Sequence, residues 1–243
     1  MNYFRIHFTT ITQLRGNDSY IKTSNPLIPN IDKCYFEVKN FIGNIEGQKI
    51  VTPPYLIDME LYKTAKMHDL IMSPGPISRK LVVSTKLKTI LEAYNKDDIQ
   101  YFNMIVKKGN DTYHNYWILH PHTYKQEIID YQNLNVTYEK HKPDFSISYE
   151  SEIINLALSS IDDFNLHMAN KKPEEISYIE PLQIKKDCKE HFFCLKNVFG
   201  GLGYYVSEKL KKIIETDGCS GIEFQPIEFT FIQWLQTKRK EIT

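Results

Sequence analysis

Cysteine is sparse in this chain. Cys34, Cys188, Cys194 and Cys219 are the only four in 243 residues, too few and too scattered for a disulfide framework, so reduced thiols are expected. Long apolar runs are missing altogether, and no window approaches the roughly eighteen consecutive apolar residues of a membrane span. There is no excess of either charge: 30 Lys and Arg stand against 30 Asp and Glu, so no global field gathers nucleic acid or an anionic membrane. No basic region followed by an apolar run opens the chain. Residues Met1 to Phe8 instead alternate in polarity and read as a strand. These absences lead us to expect a cytoplasmic protein without membrane or nucleic-acid partners. Alanine is scarce too, against much Ile, Lys, Asn and Tyr, a bias that points to an AT-rich genome.

Catalytic and cofactor signatures are also wanting. Phe199-Gly200-Gly201-Leu202-Gly203 lacks the Gly-Lys-Ser/Thr of a phosphate loop and the Gly-x-Gly-x-x-Gly of a dinucleotide turn, so it reads as a tight turn between strands. Cys188, His191 and Cys194 offer three zinc-type ligands without a nearby fourth, and Cys194 reads as a small core residue. In His120-Pro121-His122 the proline marks a strand end, which predicts two rim histidines. Ser84 and Ser207 stand in no Gly-x-Ser-x-Gly elbow. The acidic pairs Asp97-Asp98, Asp162-Asp163 and Glu174-Glu175 fall in turns, where carboxylates are solvated or cap helices. Lys185-Lys186 and Lys238-Arg239-Lys240 are too short for a nucleic-acid groove and have no interleaved aromatics. We therefore assign no catalytic, cofactor or metal residue, and leave partner-binding residues unknown.

What the chain does have is a near-repeat. Val83-Ser84-Thr85-Lys86-Leu87-Lys88-Thr89-Ile90-Leu91-Glu92 and Val206-Ser207-Glu208-Lys209-Leu210-Lys211-Lys212-Ile213-Ile214-Glu215 share seven of ten residues, and the match runs on into Ile99-Gln100-Tyr101 and Ile222-Glu223-Phe224. Leu87, Ile90, Leu91 and Tyr94 fall at i, i+3, i+4 and i+7, one apolar stripe of a helix, with Lys86, Lys88 and Glu92 on the solvent side. Ser84 and Ser207 stand where a hydroxyl can cap the first turn. The pattern predicts a helix, a turn and a strand, twice, over about 83–106 and 206–229.

Elsewhere, Tyr3 to Phe8, Cys34 to Val38, Asn115 to His120 and Lys125 to Tyr131 read as strands. Glu152 to Leu158 reads as a short helix, Ser73-Pro74-Gly75-Pro76 as a connector, and Lys171 to Glu175 as a linker. Phe231 to Leu235 leads into a charged tail expected to fray. With 42% hydrophobic residues the chain can build a sizeable core. We expect an α+β fold with a mixed or mainly antiparallel sheet and few helices. Residues 1–243 form one domain, or two lobes at 1–135 and 136–243.

The stretch from Phe192 to Phe229, with its Gly-Gly turn, Tyr205-Val206-Ser207-Glu208-Lys209-Leu210-Lys211 and Gly221-Ile222-Glu223-Phe224, resembles the C-terminal signature of a bacterial family associated with immunity proteins of polymorphic toxin systems. Tyr116-Trp117-Ile118-Leu119-His120 resembles that family's aromatic strand, and residues 1–60 match nothing recognised. The resemblance implies a cytoplasmic protein that binds a cognate toxin domain and blocks it stoichiometrically, without catalysis. It carries over no toxin-facing residue. An enzyme using His120, His122 or the acidic pairs, and an adaptor module on the same scaffold, are the alternatives.

Overall fold

The computed structural model describes residues 1–29, 34–133, 135–140, 150–155, 158–172 and 175–242. Strands β1 (Tyr3–Phe8), β2 (Ile21–Pro26), β3 (Ile57–Leu61), β4 (Leu70–Ile71), β5 (Val82–Ser84), β6 (Ile99–Lys108), β7 (Asp111–Pro121), β8 (Asn135–Lys140), β9 (Glu150–Asn155), β10 (Glu175–Ile179), β11 (Phe192–Val198), β12 (Gly201–Ser207) and β13 (Ile222–Pro226) are joined by few helices. The helices are α1 (Thr12–Arg15), α2 (Thr85–Glu92), α3 (Ile161–Asn170), α4 (Glu208–Thr216) and α5 (Phe231–Ile242). One sheet has the order β13-β1-β12-β11-β10-β8-β9, the other β2-β3-β6-β7-β5-β4. All pairings are antiparallel except β10 with β11 and β3 with β6, so the fold is α+β with two mixed, mainly antiparallel sheets.

Both copies of the near-repeat fold alike. In each, a strand, a capped helix and a second strand leave a gap that a further antiparallel strand fills: β7 between β5 and β6, and β1 between β12 and β13. The registers coincide. Ser84 faces Tyr116 and Ser207 faces Tyr3; Val83 faces Trp117 and Val206 faces Phe4; Gln100 faces His120 and Glu223 faces His7. Thus Tyr3-Phe4-Arg5-Ile6-His7 is the counterpart of Tyr116-Trp117-Ile118-Leu119-His120. The filling strand follows its unit in one copy and precedes it by most of the chain in the other. A division at residue 135 therefore separates the two sheets only after β1 is exchanged into the second.

Alternation along the strands distributes three layers of core. Val83, Leu87, Leu91, Leu119 and Ile99 join Val206, Leu210, Ile214, Ile6 and Phe192 in one cluster, so the two units share a core and form one body. Val82, Ile118 and Tyr116 face the other way, onto Phe41, Ile42 and Met59. Tyr3, Phe193 and Tyr205 face out from the seven-stranded sheet towards Phe164 of α3. Across the shared core the loop after α4 presses on β4: Leu70 N–H donates to Ser220 O at 3.1 Å, and a side chain at Gly221, φ +79°, would meet Leu70 O at 2.4 Å. Only glycine fits there.

The caps are elaborated in parallel. Ser84 Oγ accepts from Leu87 N–H at 3.2 Å and donates to Asp69 Oδ1 at 2.6 Å; Ser207 Oγ accepts from Leu210 N–H at 3.3 Å and pairs with His191 Nδ1 at 2.8 Å. Ser84→Ala and Ser207→Ala are each expected to cost roughly 1–3 kcal/mol, the cap plus one further hydrogen bond, with Ser84 the costlier because its partner is charged. Urea unfolding would measure this, and a loss below about 0.5 kcal/mol at both sites would contradict it.

Several local expectations need correction. Lys88 is not on a solvated face: its Nζ lies over the rings of Tyr101 (4.9 Å) and Trp117 (5.1 Å), and its counterpart Lys211 lies over Phe4 (4.9 Å) and Phe224 (5.6 Å). Tyr35–Glu37 forms a 3-10 turn rather than a strand, because Tyr35 turns to pack on Phe41. Gln126–Ile128 is another such turn, with only Ile129 bridging to Ile184. Glu150–Asn155 is a strand paired with β8; its Ile153-Ile154 doublet suits either period. Residues 231–242 extend as α5, which Trp234 anchors by stacking on His7 at 5.1 Å. Within Lys171 to Glu175, Pro173 and Glu174 lie outside the described residues.

Candidate functional site

Several of the groups singled out in the sequence are spent on the scaffold, while Glu174 lies outside the described residues. Ser84 and Ser207 cap helices. His191 is held by Ser207, the Cys188 carbonyl accepts from Tyr3 Oη at 3.2 Å, and Cys194 is buried with its thiol pushed up by desolvation. The three do not converge, and no group of three or more His, Cys, Asp or Glu able to hold a metal occurs among the described residues. Phe199-Gly200 is the hairpin turn between β11 and β12, with positive φ at Gly200 (+71°) and at Gly201 (+85°), the first residue of β12. Asp98 pairs with Lys125 at 3.2 Å, and Asp163 accepts from Ser159 at the start of α3. Lys185 donates to Glu127 O, and Lys238 pairs with Glu223 at 2.9 Å over the Trp234 ring.

His120 is not at a rim. It is fully buried, since Pro121 ends β7 beneath the segment that follows β2, and its Nδ1 accepts from Lys80 Nζ at 3.0 Å while Nε2–H donates to Gln48 O at 2.8 Å. Burial first, and the Lys80 charge second, lower its pKa to about 4. Lys80 is itself 4% exposed; its second bond goes to Ile45 O at 3.0 Å, and burial lowers its pKa to about 8. His122 is half-buried beside Thr123 and does not share this pocket.

Two surfaces among the described residues have the make-up of a binding site. The first is the connection from β2 to β3, which has no named strand or α-helix among its described residues yet exposes Leu27 (47%), Phe36 (67%), Val51 (90%) and Tyr55 (38%). It is not loose. Asn44 Nδ2 donates to Tyr35 O (2.7 Å) and Val38 O (2.9 Å), Ile42 N–H donates to Tyr55 O (2.9 Å), and the Gln100 amide clasps Ile50 at both N–H (2.7 Å) and C=O (2.9 Å). A long connection held this firmly, with apolar side chains outward, has the character of a binding loop.

The second is a cleft of about 520 Å³ between β1, the β4–β5 connection and the β11–β12 turn. Arg5, Arg15, Arg79 and Lys80 all reach its wall, together with Phe8 and Phe199. Sequence reasoning missed this cluster because its charges are single residues scattered over some eighty positions, with no local pattern to mark them. The chain matches no protein-family model, and no curated protein matches it significantly.

Proposed function

We propose that this protein is an immunity protein: it binds a cognate bacterial toxin domain one-to-one and blocks it, in the cytoplasm and without chemistry of its own. The carrying observation is the β2–β3 connection, where aromatic and aliphatic side chains stand exposed on a backbone pinned by side-chain hydrogen bonds. Such a surface loses little conformational entropy on binding, and Phe36 and Tyr55 are the residue types that anchor protein interfaces. The resemblance of Val206-Ser207-x-x-Leu210-Lys211 and Gly221-Ile222-x-Phe224 to the immunity family supports the same reading, as does the engagement of the reactive groups in caps and core.

Co-expression with the toxin encoded beside it should restore growth and yield a 1:1 complex on purification. Phe36→Ala and Val51→Asp are then expected to weaken that complex at least ~tenfold, as losses at interface anchors do. Their melting temperatures should stay within about 2 °C of the parent, since neither side chain is buried. Failure of both rescue and copurification would sink the proposal. Wild-type affinity in both variants would move the toxin to another face.

A further inference from the structure

We infer that the cleft between the sheets is a binding site for a small phosphorylated molecule of nucleotide size. Four cations line it and no carboxylate belongs to its wall among the described residues. In a protein with equal numbers of acidic and basic residues, that separation is local and specific. Two of the cations stand against the β11–β12 turn, and the turn holds one of them by hydrogen bonds. Arg5 Nη2 donates to Phe199 O at 2.7 Å and to Leu202 O at 2.9 Å, which fixes its guanidinium against Gly200 while leaving its other N–H groups uncommitted to that turn. The Arg79 guanidinium lies against the adjacent Gly201, with Nε 3.4 Å from where a Cβ would stand. Each glycine has a positive φ, +71° at Gly200 and +85° at Gly201, and each lies in van der Waals reach of one guanidinium group.

The other two cations have no carboxylate partner among the described residues. Arg15 Nε is buried there without a hydrogen-bond partner, and Lys80 Nζ is bonded to a carbonyl and an imidazole. Acidic groups do stand outside the wall: Glu46 pairs with Arg79 at 2.9 Å on its exposed side, and Glu180 lies behind Arg5. Phe199 stacks on Phe231 at 5.3 Å, and both rings, with Phe8, supply an apolar wall beside the charges. Fixed guanidinium forks suit phosphate oxygens, and a volume of this size suits one small ligand. The inference does not depend on the proposed toxin binding.

Titration calorimetry and thermal shift with ATP, AMP, ribose 5-phosphate, inorganic phosphate, adenosine and hexaglutamate test it on the full chain. At least one phosphorylated probe should bind and raise the melting temperature, more weakly at higher salt, while adenosine does not. Arg79→Gln and Arg15→Gln, which leave the Arg5 turn intact, should each weaken that probe at least ~tenfold. The apo melting temperatures of the two variants report whether they fold. No binding by any phosphorylated probe, equal binding of AMP and adenosine, or binding unaffected by both substitutions would overturn the assignment. Tighter binding of hexaglutamate than of every phosphorylated probe would overturn it in favour of an acidic protein segment.

Discussion

A chain beginning at residue 11 is expected to lose cooperative folding of the seven-stranded sheet. β1 lies between β12 and β13 and pairs with both, so its removal opens two unpaired edges in the middle of that sheet. It also strips Tyr3, Phe4, Ile6 and Phe8 from the cores on the two faces. At about 1.5–3 kcal/mol per buried side chain, their loss is comparable with the roughly 5–15 kcal/mol that holds a typical domain together. Circular dichroism and urea unfolding of the truncated chain should show a partly folded, aggregation-prone species, and a synthetic peptide of residues 1–10 should restore the native transition. A truncated chain melting within about 5 °C of the parent would contradict the central place of β1. The milder Ile6→Ala should cost roughly 2–5 kcal/mol, as for other fully enclosed aliphatic positions.

The second large effect is of acid. His120 and His7 occupy matching places in the two units, and burial is the chief reason that their pKa values fall to about 4 and about 3; Lys80 adds to the first and Arg5 to the second. In the unfolded chain both histidines take up a proton near pH 6.5. Between that pH and their folded values the unfolded state binds more protons, so stability rises with pH across this window and falls on acidification. For His120 the full loss is on the order of 3 kcal/mol. Lys80 acts with the same sign in another window: its folded pKa of about 8 lies below that of the free side chain, so stability rises again from pH 8 upward. Glu180 works the other way, because burial raises its pKa and acid relieves that cost. Denaturant midpoints from pH 4 to 8 should therefore be less steep in His120→Gln than in the parent. Coincident slopes would show that the imidazole is solvated or protonated in the fold.

How much of this was legible depends on the range of the interaction concerned. α2 and α4 were readable because a cap and a stripe at i, i+3 and i+4 are decided within one short segment. The turn at Gly200-Gly201 was readable for the same reason. The place of β1 was not, since nothing in Tyr3 to Phe8 says whether it pairs with β2 or with strands more than two hundred positions away. A signal was present even so: Tyr-aromatic-x-aliphatic-His occurs at 3–7 and again at 116–120. A comparison at the spacing of the helices misses it, because the strand lies before its unit in one copy and after it in the other. Lys88 was misread for a related reason. It looks solvent-facing on a helix wheel, but the rings it lies over, like those at its counterpart Lys211, come from neighbouring strands, which the wheel does not contain. His120 was misjudged because a proline marks the end of a strand without saying what lies over it. The cationic cleft left no trace along the chain.

The permuted place of β1 also sets an order of events during synthesis. Tyr3–Phe8 is synthesised well before its partners, since both of its partner strands lie beyond residue 200. At roughly 5–20 residues per second it waits some tens of seconds before either can reach it. Meanwhile β4 to β7, whose contacts are closed within fifty residues or so, can already assemble and present the face on which the second unit will dock. The earlier-made unit is thus a template for the later one, and Tyr3–Phe8 is the stretch that a chaperone would most need to shield.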